Sequence, residues 1–481
     1  MSTSATAPTA EIPEPSAQSA IAASATASAA TASAAAADAA PGVTDEPDGS
    51  RRRALSRFAI DTRPLRHPAY RRLWSSNVIT SVGSQLTAVA VPKQIYDVTG
   101  SSTWIGIASF AALAPLVIFG LWGGAVADTM DRRKLLLTTN VGIALTSIAF
   151  WAQAAVGLRS VWPLIVLLAV QQGLFGVNSA ARGAAIPRLV PEEEVPAANS
   201  LGATVMLGGA LFGPMVAGAL IPIIGLPTLY LLDAVGLTAT LWAVYRLPAL
   251  PPLKAVDCSP SDASEPGAAD SNPPAEARRT GWAQVADGFR FVAANRLLLN
   301  SFVVDLIAMV FGMPRALFPQ LAATTYASNH LALGLLFAAM PAGALVGGLL
   351  SGTYTRVRRH GAMTIGAVAV WGLAMFGLGL SGSILFACLF LAVGGVADFV
   401  SMVFRGSILQ MAAPDEMRGR MQGVFTVVVA GGPRLADLVH GIAGAALGTK
   451  AAVAGGGLAV VVAVVILATF SPSYWRYRAY S

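Results

Sequence analysis

The chain has 481 residues, a formal net charge of +7, 55% hydrophobic residues and only 12% charged ones. Soluble domains carry about 25% charged residues, so this composition excludes an ordinary soluble enzyme or binding module. Apolar runs of about 20 residues recur along the chain, each long enough to cross hydrocarbon. They lack the period-two alternation of barrel strands and are rich in Ala, Leu, Gly and Val, so an all-α membrane protein is expected.

In chain order, residues 1–50 are Ala, Ser, Thr and Pro with scattered acids. No basic start leads into an apolar core, so the segment is not a secretory signal and reads as a disordered cytoplasmic tail. Residues 51–72, "RRRALSRFAIDTRPLRHPAYRR", form a basic segment suited to anionic headgroups. Twelve spans are expected at roughly 73–95, 102–127, 135–157, 161–181, 199–223, 227–247, 297–321, 331–354, 362–380, 382–403, 421–447 and 450–470. They group as an N-terminal six-helix half (73–247), a cytoplasmic linker (248–296), a C-terminal six-helix half (297–470) and a tail (471–481). The linker is rich in Pro, Ser and Asp and ends in "GWAQVADGFRFVAANR", which reads as a short amphipathic surface helix.

With the N-terminus in the cytoplasm, nearly every Lys and Arg falls on the cytoplasmic side. The exceptions are Lys93, Arg159, Arg315 and Lys450 on the opposite side and Arg434 inside the membrane. This positive-inside asymmetry places both termini in the cytoplasm and accounts for the net charge without nucleic acid. The two cysteines, Cys258 and Cys388, sit in a linker and a span, so neither disulfide nor thiol chemistry is implied. No metal site or cofactor is expected.

The two halves repeat. Shifting by 223 positions brings "RGAAIPRLVPEE" from Arg182 onto "RGSILQMAAPDE" from Arg405, Gly120 and Gly124 onto Gly343 and Gly347, and Gly218 onto Gly441. The shift moves an even number of spans, so the halves are a parallel repeat about an axis along the membrane normal. Transporters built this way rock one half against the other around a midplane site.

Between spans 2 and 3 stands "GGAVADTMDRRKLLL". With the six-plus-six topology it resembles the loop motif of the major facilitator superfamily. Gly124, Asp128, Arg132 and Arg133 match, while Thr129 and Asp131 replace the usual basic residue and glycine. "GGALFGPMVAGAL" resembles the span-5 motif of drug–proton antiporters through Gly209, Gly213, Pro214 and Gly218, with Ala217 in place of one glycine. Further stretches, among them "PDEMRGRMQGVF" and "GGPRLADL", resemble the branch that contains bacterial enterobactin exporters. The resemblance covers residues 65 to 470 and implies a multi-pass protein of the bacterial cytoplasmic membrane, usually monomeric.

The resemblance implies that Asp128 closes a cytoplasmic gate against the N-terminus of span 11, with Arg132, Arg418 or Arg420 as partner. The alternative for the basic residues is simple anchoring. In span 5, Gly213-Pro214 is expected to bend the helix and the glycines to offer a smooth face to span 8. Ionisable residues inside spans face a cavity or a partner rather than lipid. Asp305, Arg315, Asp398, Arg434 and Asp437 are therefore the candidates for proton coupling or for lining a cavity. Arg434 and Asp437 are three apart on one helix face, which leaves static pairing, proton coupling and cargo contact all open. His440 reads as solvated near the outer face and Asp233 as structural. Gln85 and Asn178 are candidates for cargo contact, with plain interhelical hydrogen bonding as the other reading.

No G-x-x-x-x-G-K-[ST] phosphate loop is present, so the energy is expected from an ion gradient or from the cargo's own gradient. The function expected is proton-coupled secondary export of a small amphiphilic molecule, such as a catecholate siderophore. Efflux of drugs or hydrophobic metabolites is the second reading, and a non-transporting receptor or scaffold is the rival of another class.

Overall fold

The computed structural model describes residues 61–251, 281–354, 356–412 and 415–478. The expectations for the tail at 1–50, most of the basic segment and the Pro-rich part of the linker lie outside these residues. The described chain is a bundle of long helices turned inside out relative to a soluble protein. Leu145, Trp162, Trp242, Leu349 and Phe470 are exposed on its outside. Asp233, Asp305, Arg405 and His440 are buried inside. Such a surface matches hydrocarbon, where every backbone polar group needs an internal partner and helices supply it.

Among the described residues nine stretches are long and apolar enough to cross a membrane, and one of them, Glu192–Tyr245, holds both span 5 and span 6. Their joint is Gly225, whose φ of 76° gives the turn between Pro222 and Pro227. Spans 1 (Pro68–Thr99) and 11 (Asp415–Leu447) are helical too, but more of their side chains are polar. Both contribute polar groups to the central cavity, which accommodates such groups.

Span 2 is two helices, Ser102–Ala111 and Leu113–Thr129. Spans 3 and 4 are Arg132–Ala155 and Val161–Ala185. Span 7 is broken: Arg296–Gly312, a 3-10 turn at Arg315–Leu317, then Phe318–Thr324. Pro314 lacks an amide hydrogen and precedes the turn, which places Arg315 at the break instead of at the end of a helix. Spans 8, 9, 10 and 12 are Ala332–Leu349, His360–Leu380, Ile384–Ala412 and Thr449–Phe470. The amphipathic helix forms over Gly281–Ala294 and packs Val292 against Leu298, Met421 and Val424, joining the linker to spans 7 and 11.

The contacts repeat as the sequence does. Span 2 packs on 4, 3 on 4 and 3 on 6; correspondingly 8 packs on 10, 9 on 10 and 9 on 12. Between the halves, span 2 packs on 11 and span 5 on 8, which is again one contact and its copy. Gly120 lies against Gly176 of span 4, while its copy Gly343 lies against Ala392 of span 10. Gly123, rather than Gly124, seats Val177; nothing lies within 4 Å of a side chain built at Gly124.

The span-5 glycines depart from expectation. Gly209 faces Ser81 and Gly213 faces Gln85, both on span 1, and only Gly218 meets span 8, at Gly334. Gly343 and Gly347 point to span 10 instead. A helix turns 100° per residue, so a run of ten residues presents its glycines to more than one neighbour. Gly218 and Gly334 are mutually close: a Cβ on Gly218 meets Gly334 backbone at 2.5–2.6 Å, and one on Gly334 meets Pro214 O at 2.7 Å and Gly218 Cα at 3.0 Å. Small residues that let backbones approach are the main cohesive device between membrane helices.

Candidate functional site

A cavity of about 210 Å³ lies between the two halves. Spans 1, 2, 4 and 6 wall one side and spans 7, 8 and 11 the other. Its ionisable groups are Asp233, Arg315, Arg434 and Asp437. Ser84, Thr87, Ser109, Gln171 and Gln172 add neutral polar groups, and Val91, Ile95, Phe175 and Phe337 supply apolar walls.

Arg434 and Asp437 share a helix face but do not pair directly. The Arg434 guanidinium donates from Nη2 to Gln172 Oε1 at 2.7 Å and from Nη1 to Ala430 O at 3.3 Å. Asp437 Oδ2 accepts from Ser109 Oγ of span 2 at 2.5 Å. Each thus reaches across to the N-terminal half, and no ion pair within 4 Å joins them among the described residues. Arg315 and Arg434 both act electrostatically on Asp437. The Arg315 guanidinium lies 5.7 Å from the centre of the Phe337 ring, within cation–π range. The break in span 7 turns Arg315 into the cavity; as a residue of an unbroken helix it would stand near the outer end.

Asp233, read from the sequence as structural, lines this cavity. It is 5% exposed, and its Oδ2 accepts from Ser147 Oγ at 2.7 Å and Thr87 Oγ1 at 3.2 Å. Eight residues past Gly225, it lies about 12 Å along span 6. The signal was legible: a lone acid within an apolar span is expensive unless it faces a partner or a cavity. Ser109 and Gln172 carried no such signal, because a neutral polar residue in a helix satisfies itself on many neighbours.

Other candidates go elsewhere. Asp305 of span 7 forms a buried ion pair with Arg405 of span 10, inside the C-terminal half, with the two side chains 4% and 7% exposed. It therefore pairs with a cation outside the cavity lining. Gln85 packs on Gly213; its neighbour Ser84, a third of a turn around, faces the cavity instead. Asn178 donates to Thr139 Oγ1 of span 3 at 2.8 Å, an interhelical bond, and accepts from Arg182 one turn along its own helix at 3.4 Å. Asp398 is half-buried on span 10, outside the cavity lining, and has no hydrogen bond or ion pair among the described residues. His440 is 2% exposed, with Nδ1 3.0 Å from Ala436 O, so it is a packed residue and not a solvated one.

At the loop between spans 2 and 3, Asp131 caps span 3. Its Oδ1 accepts from Arg133 N at 2.9 Å and Leu250 N at 3.1 Å, tying the loop to the end of the N-terminal half. Arg133 donates to Tyr245 O at 2.5 Å and lies over the Tyr245 ring. Arg132 is buried, at 7% exposure. Asp128 falls in the last turn of span 2 and Arg418 and Arg420 in the first turns of span 11. Their side chains, and so the expected gate, lie outside the described set.

Among the described residues, the hydrogen bonds between halves run from the midplane to the side opposite the linker. They are Arg434–Gln172, Ser109–Asp437, Thr103 Oγ1 to Gly441 O at 3.0 Å and Ser102 Oγ to Gln320 Oε1 at 2.8 Å. Backbone packing follows the same side: Gly106 against Asp437 and Leu438, Gly441 against Ser102, Gly218 against Gly334. The halves are thus sealed on the side away from the linker.

A parallel two-fold repeat with a polar cavity at its centre defines a secondary transporter of the major facilitator fold. The chain belongs to the transmembrane secretion effector family, whose model matches residues 59–476. It is 27% identical over 413 residues to the enterobactin exporters EntS of Shigella boydii serotype 18 and of Escherichia coli O81, covering 86% of this chain and 94% of each relative. Among solved structures it is similar to a bacterial homologue of the human lysosomal transporter Spinster in an inward-facing, unoccupied conformation. That match has a TM-score of 0.64 and 14% identity, and covers 86% of this chain and 97% of the other. It is also similar to a POT family transporter in complex with 5-aminolevulinic acid, with a TM-score of 0.63, 14% identity and coverage of 84% and 96%. At these identities the structural matches speak to fold alone. The chain is a multi-pass membrane protein of a transporter family.

Proposed function

We propose that the protein exports a small, oxygen-rich amphiphilic molecule, of the catecholate siderophore kind, across the bacterial cytoplasmic membrane by alternating access coupled to protons. The observation that carries this reading is the pair Arg315 and Arg434 in the central cavity, set beside Phe337 and Phe175. Two guanidiniums against one adjacent carboxylate, Asp437, leave a positive subsite with aromatic walls. Guanidiniums bind planar oxygen anions through fixed N–H donors, and aromatic walls suit a ring. The names of the curated relatives support the same class of cargo.

Both termini are assigned to the cytoplasm from the distribution of Lys and Arg, which makes the linker side the inner one. The sealed side is then the outer face. The cavity is smaller than the ~300–1,000 Å³ of pockets that enclose a drug-sized ligand, so a whole siderophore requires the halves to part. Each half holds together internally, through pairs such as Asp305–Arg405, and moves as a unit. The gate roles of Asp128, Arg132, Arg418 and Arg420 belong to this proposal, as does action as a monomer.

Reconstitution into proteoliposomes with an imposed pH gradient tests the reading, with enterobactin and a hydrophobic dye offered separately. Gradient-driven enterobactin movement is expected. Movement of the dye alone selects drug efflux. Movement of neither, with protons unmoved as well, overturns transport and favours a receptor or scaffold.

A further inference from the structure

Asp233 differs from the other carboxylate of the cavity in having only neutral neighbours. Span 3 presents Ser147 and span 1 presents Thr87, both donating to Oδ2. Gln171 of span 4 lies behind Ser147, its Nε2 3.4 Å from the same hydroxyl oxygen. Gly83 of span 1 packs directly on Oδ1, where a Cβ has no room. On its own helix one turn earlier is Tyr230, whose hydroxyl donates to Gln94 at 2.9 Å. The charged groups facing Asp233 are across the cavity: Arg315 of span 7, Arg434 and Asp437 of span 11. Arg434 is occupied by Gln172, and Arg315 lies over Phe337.

A carboxylate so enclosed, with no cation in contact, carries an uncompensated desolvation cost, and a bound proton removes it. The neighbours tolerate either state. A hydroxyl both donates and accepts and rotates to suit, so Ser147 and Thr87 serve a charged carboxylate as donors and a neutral carboxyl as acceptors. Asp437 also accepts from a hydroxyl, Ser109 Oγ, but it shares its side of the cavity with Arg315 and Arg434, whose positive charge offsets that of its carboxylate. The cavity therefore holds two subsites: a cationic one on the C-terminal half and a single carboxyl on the N-terminal half.

We propose that Asp233 is the proton-binding group of the transport cycle, separate from the Arg315–Arg434 subsite that takes the oxygen-rich group of the cargo. This rests on the proton-coupled export reading. In the outward-open state a proton enters and neutralises Asp233 as cargo leaves the arginines. In the inward-open state the proton passes to cytoplasmic water and cargo binds again. The repeat places Gly456 at the position of Asp233, so the device belongs to one half only.

The test uses infrared difference spectra of the purified full chain, taken between about pH 5 and about pH 9, a range that brackets carboxyls displaced from their ordinary values. A protonated-carboxyl band that titrates in the wild type and in Asp437→Asn, and is lost in Asp233→Asn, is expected. Thr87→Val and Ser147→Ala keep the carboxyl and are expected to shift the pH at which the band appears, which guards against a folding defect in Asp233→Asn. The same variants in proteoliposomes are scored for enterobactin-dependent proton movement, expected to be lost in Asp233→Asn and kept in Asp233→Glu. Absence of the band from the wild type, its survival in Asp233→Asn, or its loss in Asp437→Asn overturns the assignment. If the wild type shows the Asp233 band yet moves no enterobactin, the cargo reading fails while the proton site stands.

Discussion

Asp437 accepts a hydrogen bond from Ser109 across the boundary between the two halves, 2.5 Å long and beside the close approach of Gly106 to the Asp437 backbone. The bond joins span 11 to the part of span 2 away from the linker, and those segments must separate for the sealed side to open. It thus stabilises one conformation and not the other. A hydrogen bond to a charged group contributes about 1.5–3 kcal/mol. Ser109→Ala is expected to shift the equilibrium toward the open outer side by roughly that amount, about 10- to 150-fold. Spin labels at Arg159 and Ser383, both exposed on the sealed side, would report a longer distance population. An unchanged distribution would sink the idea.

Gly218 and Gly334 set the second seam. Gly218→Ala places a methyl against the Gly334 backbone at 2.5–2.6 Å. Overpacking typically costs about 1–3 kcal/mol, and here the cost falls on the sealed state alone. The same labels should again move apart. Gly209→Ala is the control, since Gly209 faces Ser81 within one half. A shift of equal size in both variants would show that the seam has no special role.

Breaking the Asp305–Arg405 pair should destabilise the protein without touching the cavity. Removing one partner of a buried ion pair costs about 3–5 kcal/mol, while replacing both by apolar residues is often neutral. Asp305→Asn should lower the thermal midpoint in detergent, and Asp305→Leu with Arg405→Met should recover most of it and still transport. A double variant as stable as wild type but unable to accumulate cargo would return Asp305 to the coupling mechanism.

Arg434→Ala should weaken cargo binding more than Gln172→Ala. The first removes a guanidinium from the subsite; the second leaves it in place with one hydrogen bond fewer. A charge-assisted bond lost is worth about 1.5–3 kcal/mol, or about 10- to 150-fold in apparent affinity for enterobactin. Equal losses would mean that Arg434 acts only by bridging the halves.

Asp131→Ala removes a cap that serves Arg133 N and Leu250 N together. Loss of an N-cap costs about 0.5–2 kcal/mol. Thermal unfolding should register it with transport intact, and a normal midpoint would argue that water replaces the carboxylate there.

The sequence by itself determined the membrane class and the repeat, and carries the expectation that the linker is cytoplasmic. These follow from apolar run length, a constant offset and the distribution of Lys and Arg, which are properties of the chain read along its length. It also identified Arg434 and Asp437 as additions absent from the span-5 copy, where Leu211 and Pro214 stand. Only the tertiary structure decided which way each side chain faces. A helix rotates 100° per residue, so Ser84 reaches the cavity and Gln85 does not. Asp305 turned to Arg405 because a buried cation from another span stood at its depth. Asp233 found the hydroxyls of Ser147 and Thr87 there and, among the described residues, no cation in contact. Depth along a span is written in the sequence, but the neighbour at that depth is set by how twelve helices pack.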